Sequence, residues 1–158
     1  MDVQICRGVK VKKYRGLFPG DKEKNQMTNK HYKYFQPNDK DKKDEQSDCV
    51  IRALCKVMNK TWLEVFDELL PIARDIQCNP NSKPCYKRYL EEHGFEYVGI
   101  SNKKGSKRPT VENFTKEHKE GTYFLSVANH AVASVDGNFY DTWGSGDCCL
   151  YGYWKEIK

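Results

Sequence analysis

From residue 49 onward the chain is written in two periods. Val50, Ala53, Leu54 and Val57 recur at helical spacing and predict a helix that opens at Cys49 and closes at Met58. Ser47 or Asp48 stands where a side-chain oxygen caps a helix start, and Asn59-Lys60 breaks the pattern. Thr61-Trp-Leu-Glu64 is a capping box. Trp62, Val65, Phe66, Leu69 and Leu70 make the apolar stripe of a second helix, which Pro71 is expected to kink or end. A third helix is expected from about Pro84 to Gly94, and a short fourth from Thr110 to His118. Beyond Gly121 the period falls to two. Tyr123–Ala128, His130–Val135, Asn138–Trp143 and Cys149–Trp154 read as strands, and Asp136-Gly137 predicts a two-residue type I′ hairpin turn. Helices followed by antiparallel strands predict an α+β domain.

The first 48 residues have another character. Ile5, Val9 and Val11 alternate with Lys and Arg and predict one short strand; Gly16, Pro19 and Gly20 follow, then the polar tract Gln36–Ser47. Twelve basic and eight acidic side chains lie here, most of the net charge of +5. The division expected is a basic arm over residues 1–33 and one domain over 34–158. Because acidic residues interrupt the lysines, the arm predicts a solvated surface, and nucleic acid is not expected as a partner. A length of 158 residues suits one domain, and 13% aromatics argue against wholesale disorder. No apolar run approaches the roughly 18 residues of a membrane span, and the N-terminus lacks a secretory pattern. A cytoplasmic protein without a membrane partner is the expectation.

That expectation bears on the seven cysteines, which are then read as reduced thiols rather than a disulfide framework. None shows CxxC spacing, and Cys78 and Cys85 do not match a zinc ligand pattern, so no metal site is expected. Cys49 differs from the rest. At a helix N-terminus, free amides and the helix dipole favour a thiolate, although such a cysteine more often merely packs. Of four histidines, His31 lies in the arm, and His93 and His118 fall at helix C-termini, where a structural role is expected. His130 begins an apolar strand. With Asp136 and Gly137 as turn residues, Val135 faces Asn138, His130 faces Trp143 and Val132 faces Asp141. His130 and Asp141 then share one side of the sheet as diagonal neighbours about 7 Å apart. Asn138 falls on the opposite side. A carboxylate so placed can fix the imidazole tautomer.

The blocks Asp48-Cys-Val-Ile-Arg-Ala-Leu54 and His130-Ala-Val-Ala-Ser-Val-Asp-Gly-Asn-Phe-Tyr-Asp-Thr-Trp143 resemble papain-like cysteine peptidases, most of all small members from bacteria and their phages. The likeness runs over about residues 34–154 and includes Phe35-Gln-Pro-Asn38 and Leu150-Tyr-Gly-Tyr-Trp154. It implies a helical part carrying the cysteine, packed on a twisted antiparallel sheet, with Cys49 as nucleophile, His130 as base and Asp141 as orienting acid. The activity implied is hydrolysis of a peptide or isopeptide bond in a peptide or protein substrate through a thioester, without a cofactor. One feature departs from the superfamily, which sets an oxyanion-hole glutamine about five or six residues before the cysteine. Lys43 and Asp44 occupy those positions, and Gln46, three before Cys49, is the oxyanion-hole candidate if the loop into the helix is tighter than usual; otherwise the backbone amide of Cys49, with another donor, holds the oxyanion. Two alternatives stand beside hydrolysis: amide transfer of the transglutaminase kind, and a non-catalytic protein that uses the groove or the basic arm to hold a protein partner.

Overall fold

The computed structural model describes residues 29–41, 47–103 and 105–157, and the backbone of residues 5–6 and 9–10. Among these, β1 (Ile5–Cys6) and β2 (Val9–Lys10) pair antiparallel with each other, where the sequence predicts a single strand. The remaining order is β3 (Tyr32–Tyr34), α1 (Cys49–Met58), α2 (Trp62–Asp75), α3 (Lys83–Glu92), β4 (Phe95–Gly99), α4 (Val111–Glu117), β5 (Thr122–Val127), β6 (His130–Val135), β7 (Asn138–Asp141) and β8 (Leu150–Glu156). The class is α+β.

One six-stranded sheet, in the order β3-β7-β6-β5-β8-β4, forms the centre. It is mixed, which corrects the wholly antiparallel sheet expected. β3 runs parallel to β7, pairing Tyr32 with Phe139 and Tyr34 with Asp141. A three-residue strand is too short to show a period, and its stability is tertiary: Tyr32 is buried with its ring 5.5 Å from that of Phe139. The boundary expected between residues 33 and 34 falls inside this strand. β4, pairing with β8 on the opposite edge, is also an addition. Phe95 is its one buried residue, so no alternation announces it. Gly94, at φ +80°, supplies the left-handed exit from α3 into β4.

The helices form where their apolar spacing puts them. Thr61 and Glu64 complete the capping box of α2. Of the kink or end expected at Pro71, the end does not occur, and that helix continues to Asp75. Proline frees the carbonyl of Asp67, and both residues are exposed to solvent. Ile72 and Ala73 beyond are buried and hold the last turn to the core.

Both faces of the sheet are covered. α1, α2 and α3 bury Leu54, Val65, Leu69 and Tyr89 against Phe124, Ala131, Ala133 and Trp154. On the other face α4 sets Val111 and Phe114 against Leu125, Val132 and Phe139. β6 therefore presents small residues, Ala131 and Ala133, to one face and Val132 to the other. The small side lets α1 lie directly across β6, which brings the first residue of α1 to the first residue of β6. Among the described residues no helix is long and apolar enough to cross a membrane.

Candidate active site

The type I′ turn expected at Asp136-Gly137 is present, with φ of +46° and +73°. Val135 pairs with Asn138, Ser134 with Phe139 and Ala133 with Tyr140, the register predicted from sequence. β7 stops at Asp141, whose carboxylate Oδ1 accepts a hydrogen bond from the backbone N–H of Thr142 at 2.8 Å. Oδ2 lies 2.6 Å from His130 Nε2. The ring of Trp143 stands 5.2 Å from that of His130, centre to centre. With Nε2 taken by Asp141, Nδ1 is left for the thiol of Cys49, which hydrogen-bonds to the histidine. Positions 49, 130 and 141 are thus brought together from α1, β6 and β7.

The electrostatics of the pair follow from these contacts. Burial alone raises the Cys49 thiol pKa. The hydrogen bond and charge of His130, a backbone hydrogen bond from Ala131 and the charge of Arg52 outweigh it, and the thiol falls below its ordinary range. For His130 burial alone lowers the pKa. The charge and hydrogen bond of Asp141, joined by those of Cys49, outweigh it and carry the imidazole up to about 9. A lowered thiol beside a raised imidazole favours the thiolate–imidazolium form of the pair over the neutral one. Cys49 itself is half-buried, so a substrate carbonyl can reach it.

Several residues that complete the site are silent in the sequence. Ser145 Oγ, fully buried in the 3₁₀ turn Ser145–Asp147, donates to Asp141 Oδ2 at 2.6 Å. The backbone N–H of Phe35 (2.9 Å) and the hydroxyl of Tyr32 (3.3 Å) donate to the Asp141 carbonyl. Burial and the nearby Asp141 charge raise the Tyr32 phenol pKa. Asp48 occupies the N-cap of α1 but makes no side-chain cap, a correction to the expectation. Its carboxylate is taken by the guanidinium of Arg52 and by Trp62 Nε1, the latter at 2.8 Å. These contacts are tertiary, and spacing alone does not reveal them; the one local signal is the i,i+4 relation of Asp48 to Arg52. Gln46 lies outside the described residues.

The other histidines stand apart from the triad. His93 Nδ1 is 2.7 Å from the Tyr89 carbonyl and His118 Nδ1 is 2.9 Å from that of Phe114. A carbonyl only accepts, so each Nδ1 carries the proton and satisfies a helix C-terminus. His31 Nδ1 likewise donates to the Gly137 carbonyl at 2.8 Å, tying the segment before β3 to the hairpin turn. The six cysteines whose side chains are described form no disulfide. Burial raises Cys55 to about 12 and, beside Cys78, raises Cys85 to about 11, the reverse of Cys49. Among the described residues no group of three His, Cys, Asp or Glu side chains could hold a metal ion. No family model, curated protein or solved structure matches the chain.

Proposed function

We propose that the protein is a papain-like cysteine hydrolase acting on a peptide or isopeptide bond. The observation that carries this reading is the convergence of a half-buried, acidified Cys49 with a His130 held by Asp141. Helix start, strand start and carboxylate are what thiol acyl transfer needs: a nucleophile whose thiolate is favoured, a proton donor beside it, and a group that fixes the donor's tautomer.

In the mechanism supported by this geometry, the Cys49 thiolate attacks the substrate carbonyl carbon and a tetrahedral oxyanion forms. No described side chain caps α1. Its first-turn N–H groups, aligned with the helix dipole, are donors for that oxyanion at the point where the nucleophile sits. The His130 imidazolium passes its proton to the departing amine, the C–N bond breaks and a thioester remains. Neutral His130 then takes a proton from water, whose oxygen attacks the thioester, and the thiolate is released. Asp141, Ser145 and Thr142 hold the ring in place through these proton transfers.

Iodoacetamide labelling across pH, read by mass spectrometry, tests the reading independently of any substrate. Cys49 should react well below the pH at which the other five described thiols do, and His130→Ala should abolish that preference. A Cys49 that labels like an ordinary thiol, or not at all, is the result expected of a binding protein on this fold, and it would overturn the assignment. Hydrolysis of a fluorogenic peptide library by the wild type, but not by Cys49→Ala, is the complementary positive result.

A further inference from the structure

Arg52 lies one turn beyond Cys49 on α1 and is nearly buried, its side chain 11% exposed, between two carboxylates exposed by 6% and 2%. Its Nη1 is paired with Asp48 Oδ1. Its Nη2 stands 4.0 Å from Asp141 Oδ1, the oxygen that also accepts from Thr142. Asp48 is held from its other side by Trp62 Nε1. Burying three charges is costly, and a buried ion pair is weak evidence for stability. An N-cap aspartate also has a simpler use that this one forgoes. The arrangement calls for a role other than holding α1 together.

We propose that Arg52 is a positioning residue that spans Asp48, at the start of the nucleophile's helix, and Asp141, the acid of the triad, and so holds helix and acid in one frame. A planar guanidinium with a fixed fork of donors suits this task, because it can address two carboxylates at once at a set angle. The same cation faces Cys49 from within its own helix and favours the thiolate. The charged and titratable groups around the thiol are then His130 from β6, Asp141 from β7, Asp48 and Arg52 from α1 and its cap, and Tyr86 from α3. The inference rests on the cysteine-hydrolase reading.

The test is the pH dependence of Cys49 alkylation by iodoacetamide in the intact protein, compared among wild type, Arg52→Gln, Arg52→Lys and Asp48→Asn. Arg52→Gln should move the alkylation midpoint up by about one pH unit, roughly a tenfold lower rate on the acid side. Lysine keeps the charge but reaches one carboxylate as a single point, so Arg52→Lys should shift the midpoint by less in the same direction. Asp48→Asn keeps the cation but frees one end of the span. A span predicts an upward midpoint there too, smaller than in Arg52→Gln, whereas a cation acting by charge alone predicts a midpoint unchanged or lowered. A midpoint in Asp48→Asn at or below that of wild type therefore overturns the proposal, as does a wild-type profile in Arg52→Gln. Should Arg52→Gln not fold, Arg52→Lys decides in its place, and a profile superimposable on wild type overturns the proposal. A wild-type Cys49 that titrates as an ordinary thiol instead removes the hydrolase reading itself, and this proposal with it.

Discussion

Asp141 divides its two carboxylate oxygens among the His130 ring, the Ser145 hydroxyl and the Thr142 amide, with Arg52 at the margin. A ring held on one side by so anchored a carboxylate cannot turn its other nitrogen from the thiol. Asp141→Asn keeps an oxygen that accepts from Nε2 and should retain part of the activity. It removes the charge that raises His130, so the alkaline limb of the pH–rate profile should move to lower pH. Asp141→Ala leaves the ring free and should cost about 10² or more in kcat/KM. Asn138→Ala should be nearly silent, since that side chain donates to the Asp136 carbonyl inside the turn. In the wild type the rate should rise with pH through the lowered Cys49 pKa and fall as the pH passes about 9, where His130 loses the proton that the leaving amine needs.

The same two groups set a stability signature. His130, raised from 6.5 to about 9, contributes stability that is full below 6.5 and is lost as the pH climbs to 9. Cys49, lowered from 9.0, contributes stability that is full above 9.0 and is lost as the pH falls through its folded value. Between 6.5 and 9 the two trends oppose, the imidazole losing its contribution as the pH rises and the thiol gaining its own. Cys49→Ala removes one of them. Its Tm, relative to wild type, should fall progressively from about pH 6.5 to 9, and a constant difference in calorimetry across that range would contradict the pairing. At this scale Cys49, His130 and Asp141 were legible because each sits at a feature with a sequence signature: a helix start, a strand start, and a position counted from a turn. Ser145 and Tyr32 carry no such mark, since their partners lie across the fold or depend on how a short turn is wound, and Arg52 carries only its i,i+4 relation to Asp48.

Element by element, the helix α1 and the strand β6 are what bring Cys49 to His130. Leu54, wholly buried on α1, should cost about 2–5 kcal/mol of stability as Leu54→Ala in denaturant unfolding. Ala133→Leu is the sharper test. It adds volume where α1 crosses β6, so it should lower both stability, by about 1–3 kcal/mol, and Cys49 reactivity, because the helix must lift from the strand that carries His130. Thr61→Ala, which removes the capping box of α2 on an exposed corner, should cost about 1 kcal/mol and leave reactivity alone. The long amphipathic elements announced themselves through their periods. β3 and β4 did not: three residues cannot express a period, and an edge strand with one buried residue looks like a loop. Pro71 misled for a related reason. Its local cost is real, but the burial of Ile72 and Ala73 overrides it, and burial is a property of the tertiary fold.

On the scale of the whole molecule, the site is closed from behind by a strand that precedes every residue of the triad. β3 lies against β7, and Tyr32 and Phe35 both hold the Asp141 backbone. A chain beginning at residue 29 keeps β3 and both hydrogen bonds to Asp141. One beginning at residue 36 loses the buried Tyr32 and both hydrogen bonds to Asp141, and should be less stable by about 3 kcal/mol or more, with Cys49 reactivity reduced. Equal behaviour of the two truncations in melting and labelling experiments would show that β3 adds nothing to the site.

The two-residue turn at Asp136-Gly137 has a consequence that reaches beyond folding. It is the counter that decides which β7 side chains look toward His130, and a count can be off by one. A single residue inserted there, or Gly137 deleted, changes no member of the triad, yet a slip of one place turns Asp141 to the far side and Tyr140 toward the imidazole. Both faces of this sheet are covered by helices, so the slipped strand still finds apolar company for much of its length. The loss of activity would then come from spelling rather than vocabulary: a chain with every reactive group intact, folded, and unable to bring the carboxylate to the ring. On the function proposed above, an insertion at this turn would be a short step from a hydrolase to an inert scaffold.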